Sequence, residues 1–173
     1  MIKQANLEHW ELVKLITQKT IKEIYPHYYP KGAVEFFLSH HDESHIRKDI
    51  ESGQVFIIFN EEEAIGTVTI HNNEICRLFV LPQYQNQGFG SQLLKFAEDK
   101  ILKNDKTIVL DASLPAKSLY LKRGYVIVET HSIETDNHDY LCYDVMYKQP
   151  IWWYKMCQKL LICREQANVK DFW

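Results

Sequence analysis

The stretch Gln85-Asn86-Gln87-Gly88-Phe89-Gly90-Ser91 separates an apolar, strand-like run, Leu78-Phe79-Val80-Leu81, from a segment whose apolar residues Leu93, Leu94, Phe96, Ala97, Ile101 and Leu102 recur at helical spacing. A strand that enters a helix through a glycine-bearing loop leaves main-chain N–H groups unpaired at the helix start, where the helix dipole adds positive potential. Glycine also lets the backbone come close to a ligand. Such a loop holds a pyrophosphate without a nearby cation. Taken alone, Gly88 and Gly90 equally suit an ordinary strand-to-helix turn. A mononucleotide P-loop needs a Lys that this loop lacks, and a dinucleotide fingerprint needs a third glycine where this chain has Leu93.

Upstream of the loop, Val55 to Phe59, Ala64 to Ile70 and Ile75 to Leu81 are β-branched and aromatic runs parted by Asn60-Glu61-Glu62 and His71-Asn72-Asn73, the pattern of an antiparallel meander. Before them, Asn6 can cap a helix carrying Leu7, Trp10, Leu12, Val13, Leu15, Ile16 and Ile24 mostly on one face, stopped by Pro26. Helical patterns resume through Val34 to Leu38 and Ile46 to Ile50. Downstream, a buried strand at Thr107 to Leu110 precedes a helix with Ser113 as its expected N-cap, Pro115 in the first turn and Gly124 as its stop. Two further strands are predicted, Tyr125 to Ser132 and Asp139 to Tyr147.

The chain has 173 residues, 46% of them hydrophobic and 25% charged, enough for one domain with a core. A formal charge of −3 and a pI near 6.2 supply no positive field for nucleic acid, so none is expected as a partner. No apolar run is long enough to span a bilayer and Met1 to Asn6 does not read as a signal peptide, so a cytoplasmic protein without a membrane partner is expected. Cys76, Cys142, Cys157 and Cys163 form no CxxC pair and are expected to act as small buried hydrophobes.

Two blocks together resemble the GNAT superfamily of N-acetyltransferases. Gln85-Asn86-Gln87-Gly88-Phe89-Gly90 matches the family's Gln/Arg-x-x-Gly-x-Gly/Ala loop, and Ala112 to Tyr125, with Ser113, Ala116, Tyr120 and Gly124, is similar to its Ser-x-x-Ala-x-x-x-Tyr-x-x-x-Gly-Phe block, Tyr125 standing for Phe. The resemblance implies an α/β GNAT fold over residues 1–148: a mixed, mostly antiparallel sheet of about six to seven strands splayed at the acetyl-CoA site, flanked by about four helices. It also implies acetyl-CoA as co-substrate and no metal. The main chain of Leu78, Phe79 and Val80 would pair with the pantetheine arm and Gln85 to Ser91 would wrap the pyrophosphate, with Ser113, Lys117 and Tyr120 completing the cofactor site. The activity implied is acetyl transfer to a primary amine of a small molecule or peptide by direct attack in a ternary complex. A catalytically inactive CoA-binding or protein-interaction module is the alternative.

Thioester aminolysis needs a neutral amine, donors for the oxyanion and an acid for the departing thiolate. Tyr120 matches the family tyrosine whose hydroxyl reaches the CoA sulfur, although a core tyrosine is the plain structural reading. Glu74 stands at the spacing of the glutamate base in histone-acetylating members; a solvated strand start, or a water chain in its place, is the other reading. An N–H near Phe79 or Val80 would hold the oxyanion. Asp111 could orient the amine or a water, or cap a loop. Tyr28, Tyr29 and Phe36, in the aromatic region that begins at Tyr25-Pro26-His27, are expected on the acceptor side.

His41 and His45, four residues apart with His40 beside them, could share a helix face, but with no Glu between them and no Cys nearby a metal site is not expected. Glu61-Glu62-Glu63 suits either a cationic acceptor or a hairpin tip in water. The tail over residues 149–173, with Ile151-Trp152-Trp153-Tyr154 and Lys155, is read as a helical extension that packs on the domain or completes a homodimer contact.

Overall fold

The computed structural model describes residues 1–149; the tail from Pro150 onward, and with it the docking and homodimer expectations, lies outside the described residues. Strand β1 (Ile2–Gln4) is followed by helices α1 (Trp10–Ile24), α2 (Lys31–His40) and α3 (Glu43–Glu51), then by the meander β2 (Val55–Asn60), β3 (Glu63–His71) and β4 (Glu74–Val80). Helix α4 (Phe89–Ile101), strand β5 (Ile108–Ser113), helix α5 (Lys117–Lys122) and strands β6 (Val126–Glu134) and β7 (Tyr140–Lys148) complete the order. Among the described residues the strands form one seven-stranded sheet in the order β1-β2-β3-β4-β5-β7-β6. Every neighbouring pair is antiparallel except β4 and β5.

Period-two alternation along the central strands gives each face of the sheet its own core. On one face Leu93, Leu94, Ala97 and Ile101 of α4 pack against Ile65, Val68, Ile75, Leu110 and Met146. On the other, Val13, Ile16 and Ile21 of α1 and Ala33, Val34, Ile46 and Ile50 of α2 and α3 cover Val55, Ile57 and Phe79. The buried stripe of α1 is Val13, Ile16, Thr17, Thr20 and Ile21. Leu12 and Leu15, expected on the inward face, are 38% and 56% exposed. Two threonines take inward places because Thr20 is needed there: its Oγ1 lies 2.7 Å from the Ile16 carbonyl and 3.1 Å from that of Val80, tying the helix to the end of β4.

Ser113 is not the N-cap of α5. It stays in the β5 ladder opposite Tyr143, and its oxygen accepts a hydrogen bond from the Tyr25 hydroxyl at 3.1 Å. A turn over Leu114 to Ala116 intervenes, so Pro115 precedes the helix instead of occupying its first turn. Gly124, with φ of +84°, ends the segment after α5 as its residue type demands. Cys76 and Cys142 are half-buried and free, more open than small core residues would be.

The parallel ladder between β4 and β5 is brief. It comprises Glu74 with Val109 and Ile75 with Leu110, although β4 runs on to Val80 and β5 to Ser113. Beyond these pairs the strands part, and β4 continues paired to β3 alone among the described residues. At the parted end, Gly66 of β3 stands opposite Val80. A Cβ on Gly66 would sit 2.9 Å from the Phe79 carbonyl oxygen and 3.0 Å from both Ile58 Cγ2 and Leu93 Cδ1. Gly66→Ala is expected to cost about 1–3 kcal/mol through overpacking, read as a lower urea midpoint with an unchanged slope; an unaltered midpoint would mean that the sheet yields at no cost.

Candidate active site at the parted strands

The loop after β4 is built from a short 3-10 turn, Pro82–Tyr84, and two residues in the left-handed region, Asn86 at φ 60° and Gly88 at φ 88°. Gly88 is the N-cap of α4, and no acidic side chain lies in the first turn of that helix. The Gln85 amide donates to the Val80 carbonyl at 2.9 Å, fixing the loop against the strand end. Gln92 N–H returns to the Gly88 carbonyl, but the N–H groups of residues 86 to 91 find no backbone acceptor among the described residues. Successive free donors at a helix start make a cradle for an anion.

A cavity of about 290 Å³ lies over this cradle, lined by Leu78, Phe79, Val80, Gln85, Asn86, Gly88, Gly90, Ser91 and Ser113 among the residues expected there. The side chain of Gln87 turns back to the Gln83 carbonyl at 3.0 Å, and the ring of Phe89 meets Tyr84 edge to face. These two residues therefore offer their N–H groups to the loop, not their side chains. Lys117 is held by the buried carboxylate of Asp144 at 2.7 Å, which also accepts from Thr130. Thr20, Ile24, Tyr25, Pro115, Ala116, Ser118 and Leu119, none of them expected at the cofactor site, complete the lining. Only the periodicity of α1 could have pointed to Thr20.

The register of β4 decides which main-chain groups face the gap. Leu81 N–H donates to Ile65 across the β3 ladder. By the alternation of an antiparallel pair, Phe79 N–H then faces β3, while the N–H groups of Leu78 and Val80 face the β5 side.

A second cavity of about 430 Å³ adjoins the first, and both are lined by Tyr25, Leu78, Phe79, Ser113 and Ala116. Glu74, Asp111, Tyr120 and Phe36 line this larger space. Tyr120 is 5% exposed, its hydroxyl has no hydrogen-bond partner among the described residues, and burial pushes its pKa well above the usual tyrosine range. Asp111 is open to the cavity, yet the surrounding protein still raises its pKa.

Tyr28 is 51% exposed and lines neither cavity. Tyr29 is buried as a brace, its hydroxyl accepting from Leu114 N–H at 2.7 Å and donating to the Cys142 carbonyl at 3.0 Å. Tyr25 and Phe37 stand at the cleft in their place, edge to face with ring centroids 4.7 Å apart. Tyr25 comes last before Pro26, so the end of α1 aims it inward, a placement that residue type alone does not reveal.

Along one wall of the larger cavity runs a network absent from the sequence reading. Arg77, 5% exposed at its side chain, is 3.0 Å from Asp49, 3.2 Å from the Thr69 hydroxyl and 3.4 Å from His41 Nδ1. Asp49 also meets His71 at 3.2 Å. His40 and His45 stack, but no group of three or more metal-ligating side chains occurs among the described residues.

The model of the acetyltransferase (GNAT) domain family matches residues 24–143, and the chain belongs to that family. YafP, an uncharacterized N-acetyltransferase of Escherichia coli K12, is 28% identical over 93 residues, which is 54% of this chain and 59% of YafP. The match thus spans less than two thirds of that relative. A GCN5-related N-acetyltransferase from Rhodopseudomonas palustris superposes with a TM-score of 0.79 at 21% identity, over 87% of this chain and 95% of its own. The PaiA N-acetyltransferase of Thermoplasma acidophilum, solved with coenzyme A, gives 0.67 at 21% identity, over 87% and 98%. YncA of Salmonella typhimurium, solved with its cofactor acetyl-CoA, gives 0.67 at 13%, over 86% and 92%. At these identities the solved structures establish the shared fold.

His41 is pushed down from 6.5 to about 3, first by burial and then by the Arg77 charge. The unfolded chain therefore takes up a proton below pH about 6.5 while the native state resists until near 3, so stability falls as pH drops through that window. This one group is expected to remove about 2 kcal/mol between pH 7 and pH 5. Urea melts at both pH values should show a smaller loss for His41→Asn than for the parent; parallel losses would remove His41 from the balance.

Proposed function

We propose that the chain transfers an acetyl group from acetyl-CoA to a primary amine of a small molecule or peptide, by direct attack in a ternary complex. The observation that carries this reading is the meeting of two cavities at the parted strands, one over an anion cradle and one over Tyr120 and Glu74. The coenzyme A and acetyl-CoA bound by PaiA and YncA support the choice of co-substrate.

In this reading the pyrophosphate rests on the N–H groups of residues 86 to 91 and the pantetheine arm extends along Leu78 to Val80. The amine enters from the larger cavity. Glu74 removes its proton as the nitrogen attacks the thioester carbonyl, and the Val80 N–H, free of the β3 ladder, holds the oxyanion. The C–S bond then breaks and the thiolate takes its proton from the Tyr120 hydroxyl. Burial makes that hydroxyl a weak acid, keeping it protonated until needed, and the same dry surroundings raise the basicity of the departing sulfur. The proton on Glu74 returns through solvent to reset Tyr120.

Free-thiol release from acetyl-CoA across a panel of amines and peptides tests the assignment. Tyr120→Phe is expected to lower kcat about 10²-fold, the usual scale of general acid catalysis. Gly88→Asp should abolish turnover together with the thermal shift produced by coenzyme A, since a carboxylate at the cradle opposes the pyrophosphate. Unchanged kcat in Tyr120→Phe would remove the acid role. Protection by NAD but not by coenzyme A would overturn the whole reading, and coenzyme A binding without any turnover would return the protein to the binding-module alternative.

A further inference from the structure

Among the described residues, the unpaired fixed charges that line the larger cavity are carboxylates. Its carboxylates are Glu74, Asp111 and Asp49, and the fixed cation beside them is Arg77. Arg77 is committed: Asp49, Thr69 and His41 take up its guanidinium, and its side chain is 5% exposed. Glu74 and Asp111, in contrast, make no ion pair or hydrogen bond through their carboxylates among the described residues. Glu74 pairs with Val109 in the short parallel ladder, and Asp111 lies two residues further along β5, so both occupy the same face of the sheet. Burial first, and then neighbouring positive groups, lower the basicity of His40 and His41, while the other two histidines of the lining are each engaged by a carboxylate, His45 by Asp42 at 2.8 Å and His71 by Asp49 at 3.2 Å. The rest of the wall includes Phe36, Phe37 and Tyr143.

We propose, resting on the acetyltransferase reading above, that the acceptor is a small apolar amine without a carboxylate or phosphate beside its nitrogen, drawn in as its cation by Glu74 and Asp111 against aromatic walls and losing one proton to solvent before its neutral form attacks. A volume of about 430 Å³ is that of a small-molecule pocket, with room for a ring and a short chain. An alkylammonium gains from both carboxylates and from the ring faces. An anionic group on the same molecule would leave water with no unpaired lysine or arginine to meet it among the described lining residues and would face two like charges. The unpartnered Tyr120 hydroxyl, inside the same cavity at 5% exposure, independently marks the space as one made to hold a ligand. Free α-amino acids and phosphorylated amino sugars are thereby excluded as acceptors.

The test uses 2-phenylethylamine and phenylalanine, which share a ring and chain and differ by the carboxylate. Thiol release reads turnover by the full chain, and calorimetry reads binding of each compound with and without coenzyme A. The amine is expected to exceed the amino acid by at least about tenfold in kcat/KM and in affinity, the minimum that like-charge contact should impose. Asp111→Asn is expected to raise KM for the amine and to shrink that ratio, while the thermal shift with coenzyme A stays as in the parent. Phenylalanine bound or acetylated as well as the amine overturns the proposal. So does a protein that binds coenzyme A but neither compound, including one that acetylates only peptides. A protein that binds the amine in preference to phenylalanine yet fails to bind coenzyme A keeps the charge selectivity of the cavity and overturns the acetyltransferase reading, and with it the acceptor role.

Discussion

The parting of β4 from β5 is the constraint on which the site depends, because parallel neighbours in the middle of a sheet would ordinarily hydrogen-bond along their length. Here the ladder stops after Ile75 and Leu110. On one side of the gap, the Val80 carbonyl is occupied by the Gln85 amide and approached by the Thr20 hydroxyl, so the end of β4 is held by α1 and the loop. On the other side, β5 remains in register with β7 through Ser113 opposite Tyr143. Tyr25 stands between them, its ring 6.2 Å from Phe79 and its hydroxyl on Ser113. The unpaired strand edge costs little because a ligand or water can reach its N–H and C=O groups through the adjoining cavities.

Two electrostatic environments coexist within a chain of net charge −3. At the loop, the free main-chain donors and the helix dipole supply positive potential without a lysine or arginine, so the loop tolerates the acidic balance elsewhere. A few residues away, across the shared walls formed by Tyr25, Leu78 and Phe79, carboxylates dominate. Dipoles at a helix start act over a short range, within about the first turn. This short reach would let the proposed anion and amine sites lie side by side without cancelling. The Arg77 and Asp49 pair serves a different purpose: it satisfies its own charges and fixes α3 against β4.

Much of this was legible along the chain. The helix ending before Pro26, the meander, the glycine loop and the stop at Gly124 all depend on residue-level backbone preferences and on apolar period, and these are local properties. The placement of side chains was less legible. The same stretch that signalled an aromatic wall offered Tyr25, Tyr28 and Tyr29, and the fold used one at the cleft, exposed one and buried one as a brace. Leu12 and Leu15 looked inward by hydropathy, yet Thr17 and Thr20 hold inward positions because α1 rotates to bring Thr20 to Val80.

What the sequence by itself determined is the order and type of elements and the glycine-bearing loop between β4 and α4, since glycines, caps and apolar periods act on the few residues around them. The convergence of the site was decided by tertiary structure. Asp49 reaches Arg77, Tyr25 reaches Ser113, and Val80 instead of Phe79 turns its N–H to the gap only through strand register and helix docking. A shift of one residue in that register would send each side chain and each N–H to the opposite side, and it is the joint burial of both sheet faces with the tight β3–β4 turn, not the preference of any single residue, that holds it.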